Sequence, residues 1–197
     1  KQHLNDIYTN GGSDKLHENP VAAVRVMAEA LPPETIVTTD VGSHKYIFGQ
    51  FWPSRQPQTF FMSNGLSGMG YGLPAAIGAK LARPGAPVIA ALGDGGFSMN
   101  SQELETMERL GAPVITVVLA DKALSLIHYG QQSRGLPTYG VEFNSIDSVK
   151  TAEACGVEGV RVDTGDELAS VVSGAAENNR ALVVEIPVDI SAYSGLV

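Results

Sequence analysis

Between Val88 and Asp121 the chain reads VIAALGDGGFSMNSQELETMERLGAPVITVVLAD. The stretch opens on the apolar run Val88 to Leu92 and closes on a second, Val114 to Leu119. Neither run alternates with polar residues, which is the pattern of strands covered on both faces, as in a parallel sheet. Ser101 to Leu110 reads as a helix between them, so the segment predicts one strand–helix–strand unit. Gly93, Gly95 and Gly96 surround Asp94 at the first strand's end. Glycine there lets the backbone approach a ligand closely, and successive N–H groups in such a turn form an anion-binding concavity. Asn100 with Glu103 predicts a capping box that starts the helix. Asp121 follows the second strand, 27 residues after Asp94 (121 − 94). Carboxylates from neighbouring strand ends can share a hard cation such as Mg²⁺. A Gly-Asp-Gly triplet is also an ordinary turn signal, so both readings stand at this point.

Outward from this unit the pattern repeats. Further apolar runs occupy Thr35 to Thr39, Gly159 to Val162 and Leu182 to Ile186, with helical stretches at Tyr71 to Leu81, Ile146 to Cys155 and Asp166 to Glu177. Pro20 opens an amphipathic helix from its first turn. The alternation predicts an α/β fold: three layers, α/β/α, around a central, mostly parallel sheet. Aspartates follow the apolar runs at Asp40, Asp94, Asp121, Asp163 and Asp189. Asp163 and Asp189 read as caps of the next turn. Asp40, Asp94 and Asp121 would surround one crevice if a ligand binds beyond the carboxyl ends of the strands.

Composition bounds the partners. The 197 residues are 44 % hydrophobic and 17 % charged, enough to bury a core and too apolar for a largely disordered chain. Thirteen Lys and Arg against 21 Asp and Glu, a formal charge of −8, argue against nucleic acid, and no apolar run approaches the ~20 residues of a membrane span. The single cysteine, Cys155, excludes an internal disulfide and a cysteine-rich zinc site and fits a reducing, cytoplasmic setting. Residues 1–19, polar and centred on Asn10-Gly11-Gly12-Ser13, read as an interdomain linker ahead of a domain over 20–197.

The Gly-Asp-Gly start and the oxygen ligand after the next apolar strand resemble the thiamine diphosphate (ThDP) signature. The stretch from Thr38 to Ala82, TTDVGSHKYIFGQFWPSRQPQTFFMSNGLSGMGYGLPAAIGAKLA, is similar over its whole length to acetolactate (acetohydroxyacid) synthases. The resemblance runs from about Pro20 to Asp189. It implies the C-terminal, diphosphate-binding domain of a ThDP- and Mg²⁺-dependent enzyme. That enzyme would decarboxylate a 2-oxo acid, with pyruvate expected, and join the product to a second carbonyl to give 2-acetolactate. Alternatives are another ThDP-dependent decarboxylase or carboligase, of benzoylformate decarboxylase, sulfoacetaldehyde or carboxyethylarginine synthase type, and, remotely, a non-catalytic Mg²⁺-binding α/β module such as a receiver-like domain.

Residue by residue, the resemblance implies Mg²⁺ ligation by Asp94, Asp121 and the main-chain oxygen of Ala123. It implies diphosphate contacts from Gly95, Gly96 and the Gly42-Ser43-His44 turn, with the His44 ring contributing. Met69 would support the bent cofactor, Ser67 would lie beside its pyrimidine, and Leu124 and Leu126 would wall it. By default, without the resemblance, His44 is a surface or structural histidine, Met69 and Cys155 are core filler, and Lys122 is a solvated charge. Phe48, Phe51 and Trp52 are packing or interface residues. Three places depart from the family pattern: Ala120-Asp121 stands where Asn-Asn is common, Ser125-Leu126 where Gly-Met is usual, and Ser43 where Gln is frequent. The glutamate that tautomerises the aminopyrimidine comes, in such enzymes, from the N-terminal domain of a neighbouring subunit, and no segment here resembles that domain. The expected partners are therefore the rest of a longer chain and a second copy, as a homodimer or tetramer. No catalytic residue is expected in this chain, which alone should be inactive, and any FAD would bind in a missing domain.

Overall fold

The computed structural model describes residues 15–196. Most of the expected linker, residues 1–14, lies outside them. The packed part nevertheless begins earlier than Pro20. Leu16 is fully buried, its N–H donates to Asp163 O, and His17 O accepts from Asp189 N–H. One apolar side chain in a polar stretch carries no periodicity, so its burial was not legible.

Six strands form one all-parallel sheet: β1 (Ile36–Thr39), β2 (Phe60–Met62), β3 (Val88–Gly93), β4 (Ile115–Ala120), β5 (Glu158–Arg161) and β6 (Leu182–Pro187), in the order β2-β1-β3-β4-β6-β5. Four of the five apolar runs are the inner strands, while the fifth, Gly159 to Val162, falls on the edge strand β5 and is not covered on both faces. β1 and β4 are buried at every position, whereas the edge strands β2 and β5 are partly exposed.

Alternate residues of each inner strand serve opposite layers. On one face Ile89, Val117 and Leu119 meet α1 (Pro20–Ala30), α2 (Ser43–Phe51) and α8 (Gly165–Glu177) through Val24, Met27, Phe48 and Leu168. On the other, Ala90, Leu92 and Val118 meet α3 (Gly72–Ala82), α4 (Asp94–Asn100), α5 (Glu103–Arg109) and α7 (Ser148–Ala154) through Leu73, Phe97, Met107 and Ala152. One more helix, α6 (Ser125–Ser133), follows β4. The three-layer α/β/α expectation is met.

Helix ends follow local chemistry. Asn19 caps α1 through its side chain, with Pro20 at the first position. Thr164 and Glu167 form a reciprocal capping box on α8. Asp189 caps the final 3₁₀ turn, Ile190–Tyr193, as expected, but at the strand end before α8 the cap is Thr164 and not Asp163. Phe48 and Phe51 are core residues, and Trp52 stacks on Phe48 with centroids 6.2 Å apart. Cys155 is half-buried at the end of α7, packed against the second core.

The chain runs from β1 outward to β2 and returns on the other side of β1 as β3. The carboxyl ends of β1 and β3 therefore flank a switch point in strand order, the place where open α/β sheets leave a crevice. Among the described residues no helix is long and apolar enough to cross a membrane.

Candidate functional site

A cleft opens at this switch point. The loop after β1 supplies Val41, Gly42, Ser43 and His44. The end of β3 and start of α4 supply Gly93, Asp94, Gly95 and Gly96, and the segment after β4 supplies Asp121, Ala123, Leu124, Ser125, Leu126 and Ile127. Met69 closes it from the loop before α3. Eleven of the twelve residues expected at the site line this one cleft. The twelfth, Ser67, does not. It sits at φ 55°, with its hydroxyl donating to Ser63 O at 3.2 Å and accepting from Lys45 Nζ at 3.4 Å. A left-handed φ costs a serine what it does not cost the glycine usual at this place.

The Asp94 segment differs from the expected turn. Asp94 is itself the first residue of α4, with Gly93 as N-cap, and the helix follows β3 without a loop. Asn100 caps nothing; it lies inside that helix and its side-chain amide donates to Gly70 O. α5 starts at Glu103 with no side-chain cap. Three glycines had suggested a loop, but close packing is what excludes larger residues here. A Cβ on Gly96 would stand 1.9 Å from Asp40 Oδ2, and one on Gly42 2.7 Å from His44 Cε1.

Asp40 is fully buried and stands behind the cleft wall, outside the lining. Its carboxylate accepts from Gly70 N–H at 2.9 Å and Tyr71 N–H at 3.2 Å. It thus fixes the loop that carries Met69, whose terminal methyl would lie 3.0 Å from a Cβ on Gly95.

Asp94 is buried; it accepts from Gly95 N–H and Lys122 N–H, each at 2.9 Å. Burial pushes its acidity below the usual carboxylate range, raising the pKa, against the opposing pull of the Lys122 amide, the Ser145 hydroxyl and the Gly95 amide. Asp121 accepts from Ala123 N–H at 3.0 Å. Its pKa is pushed up to about 6, first by burial and further by the neighbouring Asp94 charge. Among the described residues no Lys or Arg lines the cleft to offset the two acids. Lys122, at φ 59°, is exposed and contributes its backbone N–H instead.

Ala123 pairs in an isolated antiparallel bridge with Glu142, through Leu124 N–H to Val141 O and Phe143 N–H to Lys122 O. That pattern turns Ala123's own N–H and C=O away from residues 141–143. The N–H goes to Asp121, on the cleft side. His44 is buried to 3 % exposure, and burial drops its pKa to about 3, so it is neutral. Its Nε2 is buried without a hydrogen-bond partner, an orphaned polar atom in a wall of a cleft.

The Asp121 shift has a measurable consequence for the metal-free protein. Its folded pKa, about 6, exceeds the unfolded value of 3.8. The native state therefore binds more protons in that window, and Asp121's contribution falls as pH rises from about 4 through 6. Asp121→Asn removes this loss. Without divalent cations, its thermal midpoint relative to wild type should be near zero at pH 4 and clearly positive at pH 7.5. A pH-independent difference would contradict the shift. The comparison with wild type cancels the opposite trend from His44.

A parallel α/β domain with glycine-lined backbone and two uncompensated carboxylates at its switch point belongs to the class that cradles a phosphorylated cofactor. The family can be given more closely. Residues 40–186 match the model "Thiamine pyrophosphate enzyme, C-terminal TPP binding domain". The chain is 37 % identical to a Bacillus subtilis acetolactate synthase over 179 residues, 91 % of this chain and 31 % of that protein. It is 34 % identical to the acetolactate synthase isozyme 3 large subunit of Escherichia coli, over 88 % of this chain and 31 % of that protein. It is 33 % identical to the catabolic acetolactate synthase of Raoultella terrigena, over 87 % of this chain and 31 % of that protein. The chain belongs to the family of C-terminal thiamine diphosphate-binding domains, and it spans about a third of the length of these relatives.

Sequence reasoning passed over Val41, Leu119 and Ile127 as lining residues. Val41 and Leu119 are apolar residues at strand ends whose exposure to a cleft carries no local signal. Ile127 lies on α6, a helix the apolar pattern did not reveal.

Proposed function

We propose that the chain binds ThDP and Mg²⁺ as part of an enzyme that decarboxylates pyruvate and joins the product to a second pyruvate, giving 2-acetolactate and CO₂. The observation that carries the metal is the pair Asp94 and Asp121. Two carboxylates with raised pKa, and no cation among the lining residues, have the donor chemistry for a hard dication. Among the described residues no cluster of three or more His, Cys, Asp or Glu could hold a metal. The remaining ligands would then be oxygens of the Ala123 main chain, of the diphosphate and of water, a set that suits Mg²⁺.

Gly96 N–H, in the first turn of α4, has no intrahelical acceptor and is available to a phosphate oxygen. Gly95 N–H, by contrast, already donates to Asp94 Oδ1. The orphaned His44 Nε2 and the Gly42 floor fit the same end of the cofactor. Met69, Leu124 and Leu126 offer the apolar support that the thiazolium and pyrimidine rings need. Bound ThDP supplies the electron sink that decarboxylation of a 2-oxo acid requires. This chain's residues hold and orient it, and their apolar walls exclude water from it.

Among the described residues no glutamate lines the cleft. On this reading the proton relay to the aminopyrimidine comes from outside these residues and the domain alone is inactive. A dimer or tetramer as the working form, a cytoplasmic location and any FAD site elsewhere in the enzyme belong to the same proposal. A second reading, a different ThDP-dependent decarboxylase or carboligase, is favoured by Ser125 and Leu126, which line the cleft where the family usually has Gly-Met.

The complete enzyme, given pyruvate, ThDP and Mg²⁺ with products followed by NMR, separates the two. Acetolactate with CO₂ supports the synthase. Untouched pyruvate with ThDP bound keeps the cofactor assignment and rejects the synthase.

A further inference from the structure

Residues 63–72 read SNGLSGMGYG, with glycine at four of the ten positions. Met69, which reaches the cleft from this segment, stands between two of them, Gly68 and Gly70. Glycine leaves the backbone on either side free to take several conformations. The position of Met69 must therefore be imposed from outside the segment.

Three side chains impose it. Asp40, after β1, accepts from Gly70 N–H at 2.9 Å and from Tyr71 N–H at 3.2 Å. Asn100, the last residue of α4, donates its side-chain amide to Gly70 O. Thr38 of β1 donates to Gly72 O at 2.7 Å. The peptide between Gly70 and Tyr71 is thus held at both ends of its dipole, the N–H by Asp40 and the C=O by Asn100. A planar unit gripped at both ends cannot flip, and Gly70 keeps its φ of 86°. That φ disfavours any side chain at position 70, and Asn100 Nδ2 would stand 2.7 Å from its Cβ.

Asn100 adds a second connection. The seven residues of α4 begin with Asp94 and end with Asn100. One short helix therefore presents the Asp94 carboxylate to the cleft at its start and grips the Met69 segment at its end.

We infer that Asn100 is a positioning residue: by fixing the peptide after Gly70 it places Met69 against the cofactor's rings, and so sets how much more tightly the cleft holds whole ThDP than its diphosphate part. This rests on the ThDP–Mg²⁺ reading above. Asn100 lies outside the cleft lining and acts through Met69.

The test uses the complete enzyme with Mg²⁺ and two probes, ThDP titrated calorimetrically and inorganic diphosphate read by its competition with ThDP. Asn100→Ala should weaken ThDP about three- to tenfold, the size of one neutral hydrogen bond, and leave diphosphate within about twofold of wild type. Asn100→Leu keeps the size and branching of the side chain with nothing to donate, and should lose as much. Met69→Ala with Asn100→Ala should bind ThDP no more weakly than Met69→Ala alone, because a support that is gone cannot be misplaced.

Unchanged ThDP binding in Asn100→Ala overturns the inference. So does Asn100→Leu at wild-type strength, which would make the shape of the side chain matter and not its bond. Equal weakening of ThDP and diphosphate, with a lowered thermal midpoint of the cofactor-free enzyme, would mean that Asn100 serves α4 and Asp94, and it rejects the role at Met69. A double variant whose loss is the product of the two single losses rejects the route through Met69. If Asn100→Ala does not fold, Asn100→Leu carries the same comparison of the two probes. Failure of the wild-type enzyme to bind ThDP with Mg²⁺ would reject the functional reading and this inference together, a result distinct from normal wild-type binding with variants that do not separate the probes.

Discussion

Asp94→Ala in the complete enzyme is expected to weaken Mg²⁺-dependent ThDP binding on the order of 100-fold or more, at or above the upper end of what partners one shell out produce. The carboxylate has two jobs in the apo fold. It accepts from Gly95 N–H and Lys122 N–H, and so joins the first turn of α4 to the segment after β4. Removing it leaves those two amides without their acceptor, at roughly 1–3 kcal/mol for each that stays buried. It also removes the neighbouring charge that helps raise the Asp121 pKa. These effects oppose one another in stability, so the metal-free thermal midpoint should move less than cofactor binding does. Titration of ThDP with and without Mg²⁺, followed calorimetrically, checks this. Mg²⁺-dependent binding at wild-type strength in the variant would remove Asp94 from the metal site.

Gly96→Ala should be nearly as damaging by a different route. Its Cβ would stand 1.9 Å from Asp40 Oδ2 and 2.9 Å from Asp40 Cγ, well inside van der Waals contact. A flexible surface side chain would move aside. Asp40 cannot do so cheaply, because it is fully buried and both of its oxygens are engaged by Gly70 and Tyr71. Either α4 shifts, carrying Asp94 with it, or Asp40 releases the loop that positions Met69. Overpacking of this kind costs about 1–3 kcal/mol, and the upper end applies where the obstacle is a tethered carboxylate. A drop in thermal midpoint of roughly 6–12 °C is expected for about 3 kcal/mol at this domain size, together with loss of ThDP binding. Asp40→Ala with Gly96→Ala should recover part of the stability by making room, but not the binding, since the Met69 loop stays untethered. A Gly96→Ala single variant with unchanged midpoint and unchanged binding would show that the contact with Asp40 does not constrain α4.

How much of this was legible in the sequence follows from where the physical signal resides. β3 and β4, with the acids that follow them, could be read because strands covered on both faces are continuous apolar runs, and a run is a local property. α3, α5, α7 and α8 were located to within a residue or two for the same reason. α2 and α6 escaped. SHKYIFGQF and SLIHYGQQS mix aromatic, polar and glycine residues, so neither presents a clear apolar stripe, and both helices depend on what they pack against. β2, three residues on a sheet edge, is too short to carry a pattern. The misread turn at Asp94 has a related cause. Glycines signal loops on average, yet Gly96 lies in a helix, and it is glycine because Asp40, 56 positions earlier (96 − 40), leaves no space for a Cβ.

The sequence by itself determined the alternation of strands and helices, the parallel sheet, the family resemblance and the identity of the cleft's acids, since each depends on residues close together in the chain or on a motif of set spacing. Only the tertiary structure decided that Asp40 is a buried buttress while Asp94 and Asp121 face the cleft, that Leu16 belongs to the core, and that Ser67 lies off the cleft lining. It alone brought Asn100 to Gly70. Those outcomes depend on which segments the sheet order places side by side, and on how much room remains between them, and neither quantity is written in any local stretch of the chain.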